Sequence, residues 1–319
     1  MSASLSRSPD RNTIQRLATA ALQSRSVTVE PLEGYIFRKY RLRTSQGFFY
    51  ILRCRPSFSV RLLKHEERWL EAESGALQAL GGRADIRSPR VIKSHDTTHH
   101  IGSPYLITGP FSGSVLADIE ASLSQHSLAS IDRNLGQYVR RLSSITGQQF
   151  GPIHCSGQSP PVSQSWAKIF AFLLESAMRD GEDALISLPY DGIRDLVRKH
   201  RNSLDKIVQP RLLLLELSSD QNVLVDPRSD QVTGLLDFST AIWGDPFMSD
   251  CFFKPTASFA EGFGRLPNTS ADERIRQYLY VLYHSLLAIV RQSYRPSEDN
   301  DEMEARRTLT IAIRQLSSA

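Results

Sequence analysis

The chain has 319 residues, of which 40% are hydrophobic and 23% are charged, the ordinary composition of a globular protein with a sizeable core. Its formal net charge is +4, and the basic residues are interleaved with acidic ones, so a nucleic-acid partner is not indicated. The longest apolar segment, residues 278–290, is too short to cross a bilayer and the polar N-terminus lacks a signal core, so we expect a cytoplasmic protein without a membrane partner.

The first part of the chain predicts a small antiparallel sheet with one long helix. Residues 1–12 are polar and predict a disordered tail, and helical spacing follows over 13–24 with Thr13 as the cap. Strands are predicted at 27–30, 34–42, 48–53, 90–92 and 105–108, with a helix over 59–80 after the third strand. These elements predict an N-terminal lobe over 13–108.

The rest of the chain predicts a larger, mainly helical lobe. A turn-rich segment at 109–113 predicts a hinge, and the C-terminal lobe then covers 114–319, with a catalytic-loop hairpin at 211–246. Helices are predicted over 130–144, 165–180, 190–207, 272–292 and 302–316. In the second of these, one apolar face is expected in the core and consists of Trp166, Ile169, Phe170, Phe172 and Leu173.

The three cysteines, Cys54, Cys155 and Cys251, are widely spaced and match no metal-binding pattern. We therefore expect free thiols in a reducing compartment. Cys155 follows His154, so a catalytic thiol at this pair is an alternative.

Residues 211–246 contain two short apolar strands around a polar turn, and each strand has a polar residue at its end. Asn222 precedes one strand and Asp237 follows the other. In kinase-type phosphotransfer, an Asn and an Asp at these places hold the metal ions that bridge the nucleotide phosphates. The same template has a His and an Asp seven and five residues before the Asn, where this chain has Leu215 and Leu217. The sequence therefore predicts the metal ligands of a kinase site without its base.

Three segments in this block carry a resemblance to a known family: Asn-Val-Leu-Val-Asp at 222–226, Gly-Leu-Leu-Asp at 234–237 and Trp-Gly-Asp-Pro at 243–246. In order and spacing they resemble the aminoglycoside phosphotransferase and choline kinase family. The resemblance implies an α+β, two-lobed protein-kinase-like fold, with a small antiparallel sheet lobe and a larger mainly helical lobe. It also implies a small-molecule ligand in the inter-lobe cleft.

The resemblance implies a phosphate-binding Lys on the third strand, where this chain has Arg53, and a helix Glu, which Glu73 matches. Arg53 cannot place a compact ammonium between two phosphates, but it is suited to an ion pair with Glu73. A pair that only ties strand to helix is the alternative. The phosphate-covering turn contains Gly34 alone, where the family has several small residues. Arg53, Glu73, Gly34 and Asn222 are therefore the candidate ligand- or phosphate-binding residues.

The catalytic loop offers two other carboxylates in place of the missing base. Glu216 and Asp220 lie close to Leu217 in the sequence, and with Asp237 they are the candidate catalytic residues. Glu216 is the candidate substitute base, although the apolar run around it also fits a buried strand. Asn222 and Asp237 are candidate metal ligands, with retention as vestigial hydrogen-bonding residues as the alternative.

Four features of the family change together here: the strand Lys, the loop His, the loop Asp and the Gly-rich turn. This favours a divergent member that lacks the catalytic Asp and is repurposed for ATP-independent acid–base chemistry on a small molecule. Isomerisation, cyclisation or elimination in natural-product biosynthesis is expected, with no cofactor. One alternative is a small-molecule kinase that uses ATP, Mg²⁺ and a substitute base. Another is a non-catalytic pseudokinase that binds a ligand or a partner.

Overall fold

The computed structural model describes residues 9–32, 36–46, 48–57, 59–81, 83, 85–97, 100–153, 162–217, 220–267, 269–297 and 301–319. Gly34 and the pair of His154 and Cys155, which the sequence singled out, lie outside these residues. Cys54 and Cys251 are free thiols, as expected. In the described part of the chain, every helix is too short or too polar to cross a membrane.

Most of the described strands lie in the first half of the chain. The strands are β1 (Val27–Leu32), β2 (Arg38–Thr44), β3 (Phe49–Cys54), β4 (Arg90–His95), β5 (Tyr105–Phe111), β6 (Ser114–Val115), β7 (Gly151–Pro152), β8 (Arg211–Leu214), β9 (Val223–Asp226), β10 (Gln231–Leu235) and β11 (Ala241–Gly244). The α-helices are α1 (Arg11–Leu22), α2 (Trp69–Leu80), α3 (Leu116–Ile119), α4 (Gln125–Leu142), α5 (Trp166–Asp183), α6 (Tyr190–Lys199), α7 (Arg201–Asp205), α8 (Ala257–Phe263), α9 (Ala271–Tyr294) and α10 (Glu302–Ser318).

The chain divides into two compact units, and the first comprises Met1–Arg61, Glu73–Ile131 and Ser219–Phe238. Its main sheet has the antiparallel strand order β1-β2-β3-β5-β4, so the predicted five-stranded sheet is confirmed. The hairpin of β9 and β10 forms a second small sheet with β6. Phe49 and Ile51 of β3 share a buried core with Leu224 and Leu236 of this hairpin region.

The second unit comprises Leu62–Ala72, Asp132–Ser218 and Ser239–Ala319. It contains helices α5 to α10 and a three-stranded sheet in the order β7-β11-β8. Aromatic side chains fill its centre: Trp166 Nε1 donates to the Tyr280 hydroxyl at 2.9 Å, and both side chains are fully buried. The division differs from the predicted lobes, because the β9–β10 hairpin belongs to the first unit and residues 62–72 belong to the second.

Several helix predictions need correction. The helix predicted over 13–24 begins at Arg11, and its cap is Asp10, which accepts from the Thr13 amide at 3.1 Å. The helix predicted over 59–80 begins at Trp69, after a single 3₁₀ turn at Glu66–Arg68. The helix predicted over 190–207 is interrupted at His200, which makes a 2.7 Å hydrogen bond to the Leu316 carbonyl. On α5, Phe172 is 41% exposed and does not share the buried face of its apolar neighbours.

Candidate functional site

Four charged side chains of the first unit form one cluster, the ion quartet, which consists of Lys39, Arg53, Glu73 and Asp237. Arg53 Nη1 lies 2.5 Å from Glu73 Oε2 and donates to Asp237 Oδ1 at 2.9 Å. Arg53 Nη2 lies 2.7 Å from Asp237 Oδ2. Lys39 Nζ lies 3.2 Å from the same Oδ2. Two cations and two carboxylates therefore balance, and the predicted pair of Arg53 and Glu73 is present.

The secondary structure explains why these four residues meet. Lys39 on β2 lies directly opposite Arg53 on β3 in the antiparallel register, and directly paired residues project from the same face of a sheet. Glu73 lies on α2, and Asp237 follows β10 after one more apolar residue, Leu236.

Lys39 is the member of the quartet that the sequence analysis did not identify. The alternation of β2 would have placed a basic side chain inward at this position once the β2–β3 register was drawn. The family has its Lys on β3, so the motif did not indicate a residue on the neighbouring strand.

Burial makes the quartet electrostatically unusual. The side chains of Arg53 and Glu73 are 2% and 1% exposed, Lys39 is 5% exposed and Asp237 is 24% exposed. Burial lowers the pKa of Lys39, although the charge of Asp237 opposes this change. Burial raises the pKa of Glu73 against the opposing charge of Arg53. Groups with pKa values displaced toward neutrality are suited to acid–base chemistry.

Asn222 is the second predicted metal ligand, and it lies next to Asp237. Its Nδ2 donates to the Asp237 carbonyl at 3.3 Å, while its Oδ1 is buried without a hydrogen-bond partner in the described part of the chain. That oxygen fits a cation ligand. The Asp237 carboxylate does not, because both of its oxygens contact Arg53 and one also contacts Lys39. As arranged, these residues do not fit Mg²⁺, which prefers oxygen ligands in octahedral geometry.

The catalytic-loop region in the second unit is apolar where the template is polar. Leu215 and Leu217 are 3% and 1% exposed. The Leu217 amide donates to Asp250 Oδ1 at 2.8 Å. The carboxylate of Asp250, which lies on a different segment, therefore holds the backbone of the loop in place.

Glu216, the candidate substitute base, is bound to the Arg291 guanidinium. Burial raises the pKa of Glu216, but the charges of Arg291 and His65 outweigh burial and lower it to about 2. A carboxylate with such a pKa is a weak base. The remaining carboxylate candidate, Asp220, belongs to the first unit, is exposed and accepts a backbone hydrogen bond from Ala117 at 3.3 Å.

Asp245 of the Trp-Gly-Asp-Pro segment is 2% exposed, and its carboxylate has three partners among the residues described. It accepts from the Tyr280 hydroxyl at 2.7 Å and from the Phe247 amide at 3.2 Å, and Arg276 Nε lies 3.3 Å away. These bonds tie the end of β11 to α9.

Comparison with known proteins gives the same family as the motifs. The sequence model of the phosphotransferase enzyme family, APH, matches residues 28–249, whereas no curated protein matches the chain.

Solved structures that are similar to this chain include several phosphotransferases. A thermostable mutant of aminoglycoside phosphotransferase APH(4)-Ia, in complex with ADP and hygromycin B, has a TM-score of 0.62 at 17% identity over 95% of this chain and 98% of that chain. A fructosamine-3-kinase-like protein from Thermobifida fusca has a TM-score of 0.63 at 16% identity over 95% and 99%. The GDP complex of aminoglycoside 2'-phosphotransferase-IIIa has a TM-score of 0.57 at 19% identity over 96% and 99%. At these identities the likeness shows the fold, and the predicted kinase-like fold class is confirmed.

Proposed function

Because this chain belongs to the phosphotransferase enzyme family, we propose that it uses the family fold for ATP-independent acid–base chemistry on a small organic molecule. The observation that carries the proposal is the engagement of Asp237. Its carboxylate oxygens contact Arg53 at 2.9 and 2.7 Å and Lys39 at 3.2 Å. A carboxylate held in this way by two cations is poorly placed to bind a nucleotide-bound metal ion.

Lys39 supplies the acid–base group in this proposal. Burial lowers its pKa to about 8, so its amine takes up and releases a proton close to neutral pH. Asp237 is the most exposed member of the quartet at 24%, and it is the member that a ligand reaches first. Glu216 and Asp220 remain predictions from the sequence, and the proposal does not depend on them.

The first test is nucleotide dependence. Binding of Mg·ATP at 100 times its Kd would raise the free energy of unfolding by about 2.7 kcal/mol, a clear shift in thermal unfolding. We expect no such shift and no ATP consumption. A robust shift, together with ATP consumption that is lost in Asp237→Ala and kept in the hairpin control Asp226→Ala, would overturn the proposal.

The second test is turnover. Metabolite extracts incubated with wild-type protein or with the control Lys93→Met should show a product that extracts with Lys39→Met lack. Thermal unfolding of each variant confirms that it is folded. Identical product profiles with and without the protein would contradict an enzyme and favour the pseudokinase alternative.

A second candidate, a small-molecule kinase with a substitute base, is favoured by one observation. The buried Asn222 Oδ1 is without a hydrogen-bond partner among the residues described, and such an oxygen suits a cation. This function needs Arg53 and Lys39 to release Asp237. Mg²⁺-dependent ATP binding that is weakened by Asn222→Ala would support it over the leading proposal.

A further inference from the structure

A cavity of about 380 Å³ lies within the second unit, and none of the quartet residues lines it. Its floor includes Leu173 of α5, Leu215 beyond β8 and Ile242 of β11, which are all at most 5% exposed. The volume falls in the range of small-molecule sites, which are mostly apolar with a few polar groups. Leu215, at the position where the resemblance implies a His, thus contributes an apolar surface.

One face of α5 lines the cavity with aromatic, charged and polar side chains. Phe172, Glu175, Ser176 and Arg179 lie at the spacing of one helix face. Phe172 is 41% exposed although most of the apolar residues around it are buried. A large aromatic side chain left open beside an apolar floor suits contact with a ligand.

Charged side chains surround this floor, and some of them already have ion partners: Lys64 Nζ lies 2.9 Å from Asp180 Oδ1 and 2.7 Å from Asp183 Oδ2. Lys64, Arg68 and Arg179 line the cavity together with a single carboxylate, Glu175. Arg194, which does not line the cavity, already binds Glu175 through Nε at 3.0 Å and Nη2 at 3.1 Å. Arg179 contacts Glu175 through Nε at 3.4 Å, a longer contact than those that Arg194 makes. The guanidinium of Arg179 has two further nitrogens, which can donate to an anionic group in the cavity.

We propose that this cavity binds a small, largely apolar molecule that carries an acidic group. The rings or chains of the ligand contact Phe172 and the floor, and its acidic group accepts hydrogen bonds from Arg179. The hydroxyls of Ser176 and Thr240, which also line the cavity, provide further polar contacts. The inference is independent of the proposed function, because it involves neither ATP nor the ion quartet.

The test uses two fluorescent probes that share a ring system. 8-Anilinonaphthalene-1-sulfonate carries an acidic group, and N-phenyl-1-naphthylamine lacks it. We expect saturable binding of the sulfonate at one site per chain and displacement of the neutral probe by the sulfonate. Arg179→Gln should weaken the sulfonate about tenfold and leave the neutral probe unchanged, while Ser176→Trp should fill the cavity and abolish both.

The matched control is Arg307→Gln, which removes an exposed arginine of α10 that does not line the cavity. It should leave the binding of both probes unchanged. Equal weakening by Arg307→Gln and Arg179→Gln would overturn the proposal, as would non-saturable binding or neutral-probe binding that the sulfonate does not compete with. The comparison of Arg179→Gln with Arg307→Gln does not depend on Ser176→Trp, so it decides the matter even if that variant does not fold.

Discussion

Arg53 is the side chain that holds the ion quartet together, because its guanidinium contacts both Glu73 and Asp237. Removing one partner of a buried ion pair leaves the other charge uncompensated and costs about 3–5 kcal/mol. We expect the free energy of unfolding of Arg53→Met, measured by urea unfolding, to be lower than that of wild type by this amount. The double variant Arg53→Met/Glu73→Leu should recover much of it.

The control for this prediction is Arg43→Met on β2. Arg43 pairs with Glu30 at 3.5 Å, and both side chains are about half exposed, at 47% and 48%. Exposed pairs contribute roughly 0–1 kcal/mol. If Arg53→Met lowers the free energy of unfolding no more than Arg43→Met does, the quartet is not a buried electrostatic unit.

Lys39 gives a pH-dependent prediction at the same scale. Its folded-state pKa is lowered from 10.5 to about 8, so the unfolded chain binds this proton more strongly between those values. The cost of burying the charged amine is present below about pH 8 and is relieved as pH rises. Between pH 8 and 9.5, the free energy of unfolding of wild type relative to Lys39→Met should therefore increase. A difference that stays constant or falls with pH contradicts the lowered pKa.

At the scale of elements, α4 and α8 pack so closely that glycine is required between them. A Cβ at Gly136 of α4 would lie 2.2 Å from the Phe259 carbonyl oxygen of α8. The obstacle is backbone, so the helices would have to separate. We expect Gly136→Ala to lower the free energy of unfolding by about 1–3 kcal/mol, the usual cost of overpacking.

Gly192 of α6 is the matched control, because the nearest atom to its added Cβ is 4.0 Å away. At this position alanine only improves helix propensity, so we expect Gly192→Ala to raise the free energy of unfolding by up to about 1 kcal/mol. If both alanine variants change stability in the same direction in urea unfolding, close packing at Gly136 is not the cause.

The elements that the sequence predicted best are those with local signals. The spacing of apolar residues in β1 to β3 and the long apolar pattern of α9 were recognisable without tertiary information. The start of α2 was not, because the Lys64 amide binds Asp180 at 3.0 Å and the Leu63 amide binds Glu66 at 2.8 Å. Contacts of this kind hold residues 62–66 in a non-helical path that no local pattern specifies.

In the candidate site, the pairing of Arg53 with Glu73 followed from the family motif. The engagement of Asp237 by Lys39 did not, because it depends on strand register and on the place of the β9–β10 hairpin. Likewise, Glu216 was a plausible base by its spacing, whereas its partner Arg291 is far along the chain and was not predictable from the local sequence.

At the scale of the whole molecule, the chain passes between the two compact units five times, at 61/62, 72/73, 131/132, 218/219 and 238/239. A cut at the predicted hinge, 109–113, would therefore divide the first unit rather than separate it. We expect a fragment of residues 1–108 to lack cooperative unfolding in circular dichroism, because Phe49 and Ile51 lose Leu224 and Leu236 from their core.

The comparison for this prediction is a chain in which residues 1–131 are joined by a Gly/Ser linker to residues 219–238. It restores the hairpin that completes the core, and it should unfold cooperatively. Cooperative unfolding of 1–108 alone would mean that the predicted lobe boundary describes an independent folding unit.

The balance of the ion quartet also limits how this sequence can diverge. Arg53 and Glu73 are almost fully buried, so changing either one alone passes through an uncompensated charge that lowers stability. Replacement of both in concert avoids that intermediate. Among descendants of this chain, positions 53 and 73 should therefore change together, and an alignment should record them as a covarying pair.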